Sequence, residues 1–528
     1  MVLNVACGAV ALFTLLQAGL TIAVPSGGVS GDNVFLTRAG GSEGSGSNAC
    51  QALAQAGLAS LLYYSSDNEY NTTITGYYAA DVQDVKPRCI LKPTTAEHVS
   101  KAMKVLNSPQ GQSQGWKLAV KSGGHAPYAS NNVQNGVTID LARMNSVSYR
   151  ACKPSSKYGF ASIGAGARWG DVYSALESQG VMVGGGREGH VGVAGFLLGG
   201  GFSWYSGKRG MALDNLASME VVLSDGRIVT AKGTQNADLF KALKGGLNNL
   251  GIVTKFEMKT FPSKFLYGGV MAFPWTAANS ILAKFVNMID NNAQNPAETG
   301  FVSLSWSPGY PAPSVAYITA NTDGVTNSTS FVGLESLNPV VDYRFTMPLT
   351  SLTQQLAGAT GLYNTWYTST IHNTLDLVKK YASIFESLVT DLSTNYNIDE
   401  PISLIFVLTP LPKTYSQHNP TSNILGLQNS LTRNSIVLQP EVILPSKKFQ
   451  PLIAAKLAQA VQQMESYAKQ KGGYNPYLYI NYANPEQENP IKRYGTENVA
   501  FLRKTAGKFD KSGFWQSGRV AGAFKIPA

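Results

Sequence analysis

Lys121-Ser122-Gly123-Gly124-His125 lies between two apolar runs, WKLAV and GVTIDL, and brings a hydroxyl, two adjacent glycines and an imidazole together. Without Cβ atoms, the backbone N–H groups of Gly123 and Gly124 can turn toward an anion and sit close to it, as a diphosphate requires. His125 would then stand beside the bound group. Alone, Gly-Gly-His is an ordinary tight turn with a solvent-facing imidazole, so its meaning depends on a second glycine-rich segment further along the chain.

That segment is Gly184-Gly185-Gly186-Arg187-Glu188-Gly189-His190-Val191-Gly192-Val193-Ala194-Gly195-Phe196-Leu197-Leu198-Gly199-Gly200-Gly201. A glycine inside a regular element costs about 0.5 to 1 kcal/mol relative to alanine, so such density implies that something must approach the backbone closely. A flexible linker would be polar and serine-rich. Here glycine alternates with Val, Phe and Leu, which fits burial against a flat or extended cofactor.

Ile163-Gly164-Ala165-Gly166-Ala167-Arg168-Trp169-Gly170-Asp171 joins a strand pattern to a helix pattern, yet it reads G-x-G-x-x-x-G. A nicotinamide site needs G-x-G-x-x-G and an acidic residue about 20 positions on at the next strand end, so none is expected. Five histidines without an H-x-x-x-H pair, and cysteines without C-x-x-C, offer no zinc or haem constellation, and no metal is expected. G-x-S-x-G and G-x-x-x-x-G-K-[ST] are absent as well.

The elements that must position these loops come as short apolar strands alternating with helices. CQALAQAGLASLL has helical spacing from Cys50, and CILKPTTAEHVSKAMKVL reads as a strand followed by a helix capped by Thr94 or Thr95. WKLAVKSGG, GVTIDL and GFASIGAGA read as strands, GDVYSALESQG as a helix, and LASMEVVLSDGRIVTA as a hairpin turning at Ser-Asp-Gly. From residue 264 to 470 the character changes. Extended runs such as SVAYITANT and ISLIFVLTPL alternate with helices such as TLDLVKKYASIFESLVTDL, predicting a sheet covered by helices. The tail from Tyr474 is Tyr-rich and compact.

With 528 residues the chain exceeds one growing core, so two lobes of an α+β fold are expected. At 44% hydrophobic and 14% charged residues it is a well-buried globular chain rather than a disordered one. The net charge of +10 is spread singly along the sequence, which argues against nucleic acid. Residues 5–24 are apolar and uncharged, and the small residues from Ala18 to Ala23 favour a cleaved signal peptide (1–23) over a membrane anchor, even though no basic residue precedes them. No second span of this kind occurs downstream, so stable membrane association is not expected. Residues 25–49, rich in Gly and Ser, read as a flexible lead-in. Cleavage would remove Cys7 and leave three cysteines, an odd number, so one thiol stays unpaired or pairs elsewhere, and the sequons at Asn71 and Asn327 fit the secretory route.

In chain order KSGGHAPYASNN, GVTIDLARMNSV, IGAGARWGDVY, GHVGVAGFLLGGGFSW, LDNLASMEVVLSDGRIV and DLFKALKGGLNNLGIVTKFEM resemble the PCMH-type FAD-binding domain of the vanillyl-alcohol oxidase superfamily over residues 84–263. YLYINYANPEQENPIKRYG with LRKTAGKFDKSGFWQSGRVAGAFKI resembles the C-terminal signature of its berberine-bridge-enzyme-like subgroup, fungal type. The resemblance implies an N-terminal lead-in and helix over 24–83, the FAD-binding domain over 84–263, a substrate domain over 264–470 with an antiparallel sheet, and a segment over 471–528 that returns to the FAD lobe.

It further implies a secreted, monomeric FAD oxidase in which His125 bonds to the flavin 8α carbon while Ser122, Gly123 and Gly124 wrap the diphosphate. Gly192, Gly195, Gly199, Gly200, Gly201, Gly251, Ile252, Val253 and Asn481 would line the cofactor. Relatives often carry a second, cysteinyl tether in C-x-x-V-G. Here the segment reads Glu188-Gly189-His190-Val191-Gly192, so a single link is expected, and Glu188 and His190 are either polar neighbours of the active site or plain loop residues. By the same resemblance Cys50 pairs with Cys89, leaving Cys152 outside the bridge.

Catalysis of this kind passes a hydride from a hydroxyl- or amine-bearing small molecule to flavin N5 while a base takes a proton, and dioxygen reoxidises the flavin to give hydrogen peroxide. The family's Y-x-N-Y segment is here Tyr479-Ile480-Asn481-Tyr482. Read as a strand, it sets Tyr479 and Asn481 on one face and Tyr482 on the other, which makes Tyr479 the expected base, with Tyr482 as the second catalytic candidate. A phenol near pKa 10 needs a positive neighbour or a donor for that role, and the sequence does not identify one. A secondary metabolite is the expected substrate. An oligosaccharide, or a flavin-binding surface protein without catalysis, is the alternative.

Overall fold

The computed structural model describes residues 44–152, 158–522 and 524–528. The signal peptide, its cleavage region, Cys7 and the lead-in up to residue 43 lie outside the described residues. The lead-in reading fails at its end: a helix spans Gly44–Leu53 and continues as a π turn, Ala54–Leu58, where Gly57 at φ +79 breaks it. Cys50 on this helix is bonded to Cys89 at the start of the next-but-one strand, fixing the helix to the sheet. Cys152, exposed, takes no part in that bridge.

The N-terminal half builds two sheets. Leu62–Tyr63, Cys89–Leu91, Val137–Asp140 and Leu118–Lys121 form the first in that order, its last three strands parallel. The helix Ala96–Leu106, capped by Thr95, whose hydroxyl accepts from the His98 N–H, supplies the crossover. Val147–Arg150, Phe160–Gly164, Ile252–Lys259, Leu216–Val222 and Ile228–Lys232 form an antiparallel second sheet, with the Ser-Asp-Gly turn joining the last two. Gly164 and Gly166 let two chain segments touch: a Cβ on either would stand 2.1 and 1.8 Å from the carbonyl oxygens of Met144 and Leu141. The tail returns to this half, where the Leu118 N–H donates to the Arg519 carbonyl and the Ala521 N–H to the Leu118 carbonyl.

Residues 266–475 contribute a nine-stranded sheet whose strand pairs run antiparallel, as the family resemblance implies. Its two faces differ. Val302, Leu304, Val315, Tyr317, Leu404, Phe406, Leu438 and Val442 pack against the helices Ala278–Asp290, Leu375–Asn395 and Gln450–Gln470 in one core. The alternate residues, among them Phe301, Ser303, Ser305, Ile405, Val407, Gln439 and Glu441, face the N-terminal half and a cavity. Ile318, Leu411 and Tyr415 belong to the core of the first half, so packing crosses the boundary drawn at residue 264. Among the described residues no helix is long and apolar enough to cross a membrane.

Residues 476–484 are not a strand. The Tyr482 N–H donates to the Tyr479 carbonyl at 2.9 Å, closing a turn. Tyr479 and Tyr482 therefore lie on the same side, their rings edge to face with centroids 4.8 Å apart. The alternation expected of a strand does not apply here.

Candidate active site

A buried ion pair anchors the Ser122–His125 loop. Lys121 ends its strand with Nζ 3.2 Å from Asp140 Oδ1 and 5.3 Å from the Tyr77 ring, and Thr73 donates to the other carboxylate oxygen of Asp140. From there the Ser122 hydroxyl donates to the Ala165 carbonyl at 2.6 Å and accepts from the Ala194 N–H. Gly123 touches Gly192 backbone to backbone: a Cβ on Gly192 would stand 2.2 Å from the Gly123 nitrogen. Gly124 takes φ +72, a left-handed conformation that glycine enters without steric cost, and this delivers His125 to the cavity wall.

Two cavities meet at Gly195 and Asn481. The smaller, about 160 Å³, is bordered by Ser122, Gly195, Gly251, Ile252, Val253 and Asn481. The larger, about 380 Å³, is bordered by Gly123, Gly124, His125, Gly192, Gly195, Tyr479, Asn481 and Tyr482 on one side and by the alternate face of the nine-stranded sheet on the other. A Cβ on Gly195 would meet no protein atom within 4 Å, because it would project into this channel. An elongated cofactor fits: a narrow glycine-walled passage leads into a broad chamber beside an imidazole.

Gly199, Gly200 and Gly201, expected along the cofactor, border neither cavity. They back the tyrosines instead. A Cβ on Gly199 would lie 2.0 Å from Asn481 Oδ1, and the Gly201 N–H donates to the Tyr479 hydroxyl at 3.1 Å.

Tyr479 is fully buried, and its hydroxyl oxygen accepts from two neutral donors, the Gly201 N–H and Asn481 Nδ2. Burial pushes this phenol well above its ordinary range, and the Tyr482 phenol adds to that; the two donors and Arg187 pull the other way without overcoming it. Tyr482 has a different partner: Arg187 Nη2 donates to its hydroxyl at 2.8 Å. Arg187 also donates to Thr409 Oγ1 and stacks over Phe301 at 4.6 Å, so the guanidinium is held by the sheet while serving the tail. Sequence reading missed Arg187, although it stands within the glycine-rich segment; its signal was a lone cation among residues that otherwise approach the cofactor by backbone.

Glu188 belongs with the site rather than with a free loop. Its Oε2 lies 3.4 Å from His125 Nε2 and accepts from the Val191 N–H, while its Oε1 lies 3.3 Å from His190 Nδ1. Burial would raise the carboxyl, but a hydrogen bond and charge from the His125 imidazole, with the His190 backbone N–H and ring charge, hold it below the ordinary carboxylate range. On the far side Tyr78 stacks on His125 with centroids 4.1 Å apart and planes at 13°. Trp366 continues the aromatic wall, 6.3 Å from Tyr78 and 6.4 Å from Tyr482. Glu441, which accepts from Gln439 at 2.6 Å, borders the chamber, and burial lifts its carboxyl to about 7. Tyr78, Trp366, Gln439 and Glu441 were not legible as site residues, because nothing local separates them from core positions.

The arrangement can hold a flavin, and known proteins of similar sequence and fold agree. Residues 87–232 match the FAD binding domain family. The FAD-dependent monooxygenase drtC of Aspergillus calidoustus is 30% identical over 482 residues, covering 90% of each chain. The berberine bridge enzyme of Eschscholzia californica shares the fold at TM-score 0.70 and 15% identity, over 91% of this chain and 100% of that one. Chitooligosaccharide oxidase does so at TM-score 0.67 and 21% identity, over 91% and 100%.

Proposed function

The chain belongs to the family of FAD-dependent oxidoreductases that includes the fungal FAD-dependent monooxygenase drtC, and on that premise we propose that it is a berberine-bridge-enzyme-like oxidase of a hydroxyl- or amine-bearing secondary metabolite, with dioxygen as electron acceptor and hydrogen peroxide as co-product. When bound, the flavin supplies the hydride acceptor, N5. His125 carries a single covalent link to it, since Glu188 occupies the position of the second, cysteinyl one.

Tyr482 takes the substrate proton. Negative charge developing on its oxygen meets the full positive charge of Arg187 at 2.8 Å, which stabilises the phenolate in a way that neutral donors cannot match. This pair, opening on the same chamber as His125, is the observation that carries the reading. Tyr479, buried and driven upward, serves to hold Asn481 and the Tyr482 ring in place.

A chamber of about 380 Å³ walled mostly by carbon suits a compact metabolite better than an oligosaccharide. The Cys50–Cys89 disulfide and the exposed Asn71 and Asn327 support passage through the secretory route, with a monomer outside the cell.

The test is the visible spectrum of the acid-precipitated protein, then of the native protein under anaerobic conditions with candidate substrates. A yellow pellet and bleaching by one compound, with one hydrogen peroxide formed per turnover in air, are expected. A colourless pellet sinks the tether. Failure of every hydroxyl- and amine-bearing compound to bleach the flavin returns the non-catalytic reading.

A further inference from the structure

We infer that Glu188 and Tyr78 together are a positioning device that fixes the His125 imidazole with Nδ1 presented to the flavin, the carboxylate standing where relatives place a second covalent anchor. The inference rests on the reading of His125 as the tether.

An imidazole on a glycine-rich loop can rotate about two side-chain bonds and offer either nitrogen. Here both freedoms are removed. Tyr78 lies parallel to the ring at 4.1 Å, which sets its plane. Glu188 Oε2 stands 3.4 Å from Nε2, which selects the edge. Among the described residues no hydrogen-bond partner meets Nδ1. Glu188 is itself fixed, because the Val191 N–H donates to the same oxygen. A carboxylate engaged with one ring nitrogen makes the other the more basic, the logic by which acids behind metal-bound histidines orient those rings.

Attachment forms one bond, from Nδ1 to the 8α carbon, and breaks one C–H bond at that carbon. The proton from carbon and the proton from imidazole balance the two electrons left on the ring system. Dioxygen, the electron acceptor already proposed, removes both electrons and both protons as hydrogen peroxide. Glu188 contributes by receiving the Nε2 proton as the alkylated ring becomes cationic. Its Oε2, held in place by the Val191 N–H, already stands beside Nε2 for that transfer.

The experiment compares the parent chain with Glu188→Gln, Glu188→Asp and His190→Gln, each produced under riboflavin limitation and then given FAD. In-gel fluorescence after denaturation reads covalent flavin against time, acid release reads non-covalent flavin, and thermal melting reads folding. In the parent all retained flavin becomes covalent. Glu188→Gln should bind FAD and melt within about 2 °C of the parent, yet attach flavin at least about ten-fold more slowly, the scale of removing one charge beside a reacting imidazole. Glu188→Asp should recover most of the rate, and His190→Gln should stay within about two-fold, since that imidazole is half exposed and off the ring edge concerned. Attachment by Glu188→Gln at the parental rate overturns the inference while leaving the tether intact, and so does failure of that variant to hold any FAD, which would make the carboxylate structural. A parent without covalent flavin overturns the tether itself.

Discussion

Arg187 Nη2 and the Tyr482 hydroxyl lie 2.8 Å apart, joining the glycine-rich loop to the C-terminal tail across the cavity. The contact spans 295 positions of sequence and is the geometry on which the proposal of Tyr482 as base rests.

Tyr482→Phe should lower kcat by about 100-fold or more with little change in KM, as loss of a positioned proton acceptor does. Arg187→Gln should cost about 10- to 100-fold, the worth of a charged hydrogen bond in a desolvated site. Tyr479→Phe should cost less than either. Steady-state kinetics with the bleaching substrate checks the order, and a larger loss at Tyr479 would move the base back to that residue.

Two glycines separate folding from cofactor binding. Gly192→Ala places a Cβ 2.2 Å from the Gly123 nitrogen, backbone that cannot yield, and should destabilise the protein by about 1 to 3 kcal/mol. Gly195→Ala meets no atom, so it should melt like the parent in the absence of flavin while binding FAD more weakly. Melting curves with and without FAD distinguish the two effects.

Glu441 predicts a pH-dependent stability. Its carboxyl, raised by burial to about 7 from an unfolded value of 4.5, contributes stability that is fully present below 4.5 and lost as pH rises through 7. Glu441→Gln removes that loss. It should therefore raise Tm by roughly 1 to 3 °C at pH 8 and by nothing at pH 4.5. An equal shift at both values would show that packing, not ionisation, is responsible.

The disulfide closes a separation of 39 residues, and on loop-entropy grounds its removal by Cys50→Ser with Cys89→Ser should cost up to about 4 kcal/mol. Denaturant titration of the parent and the double variant reads it. No loss would mean that the helix Gly44–Leu53 docks on packing alone.

Short-range spacing of glycine, caps and apolar residues is enough to encode the α+β class, the loop at Ser122–His125, the helix-covered sheet and the Thr-capped helix after the strand from Cys89, and all of these were legible in the bare sequence. Extended runs such as SVAYITANT and ISLIFVLTPL, with helices between them, marked a helix-covered sheet. That the other face of this sheet meets a cavity instead of solvent emerges only on folding, since it depends on which half of the molecule packs opposite. The same holds for the tail. As an isolated segment Tyr479–Tyr482 reads as a strand, but in the molecule the Tyr482 N–H closes on the Tyr479 carbonyl and turns both phenols inward. Arg187 was visible as a cation and Glu188 as a replaced cysteine, yet their partners, Tyr482 and His125, stand far off along the sequence, the first of them 295 positions away. Contacts at that separation are set by how sheets and loops pack together, and no local pattern encodes them.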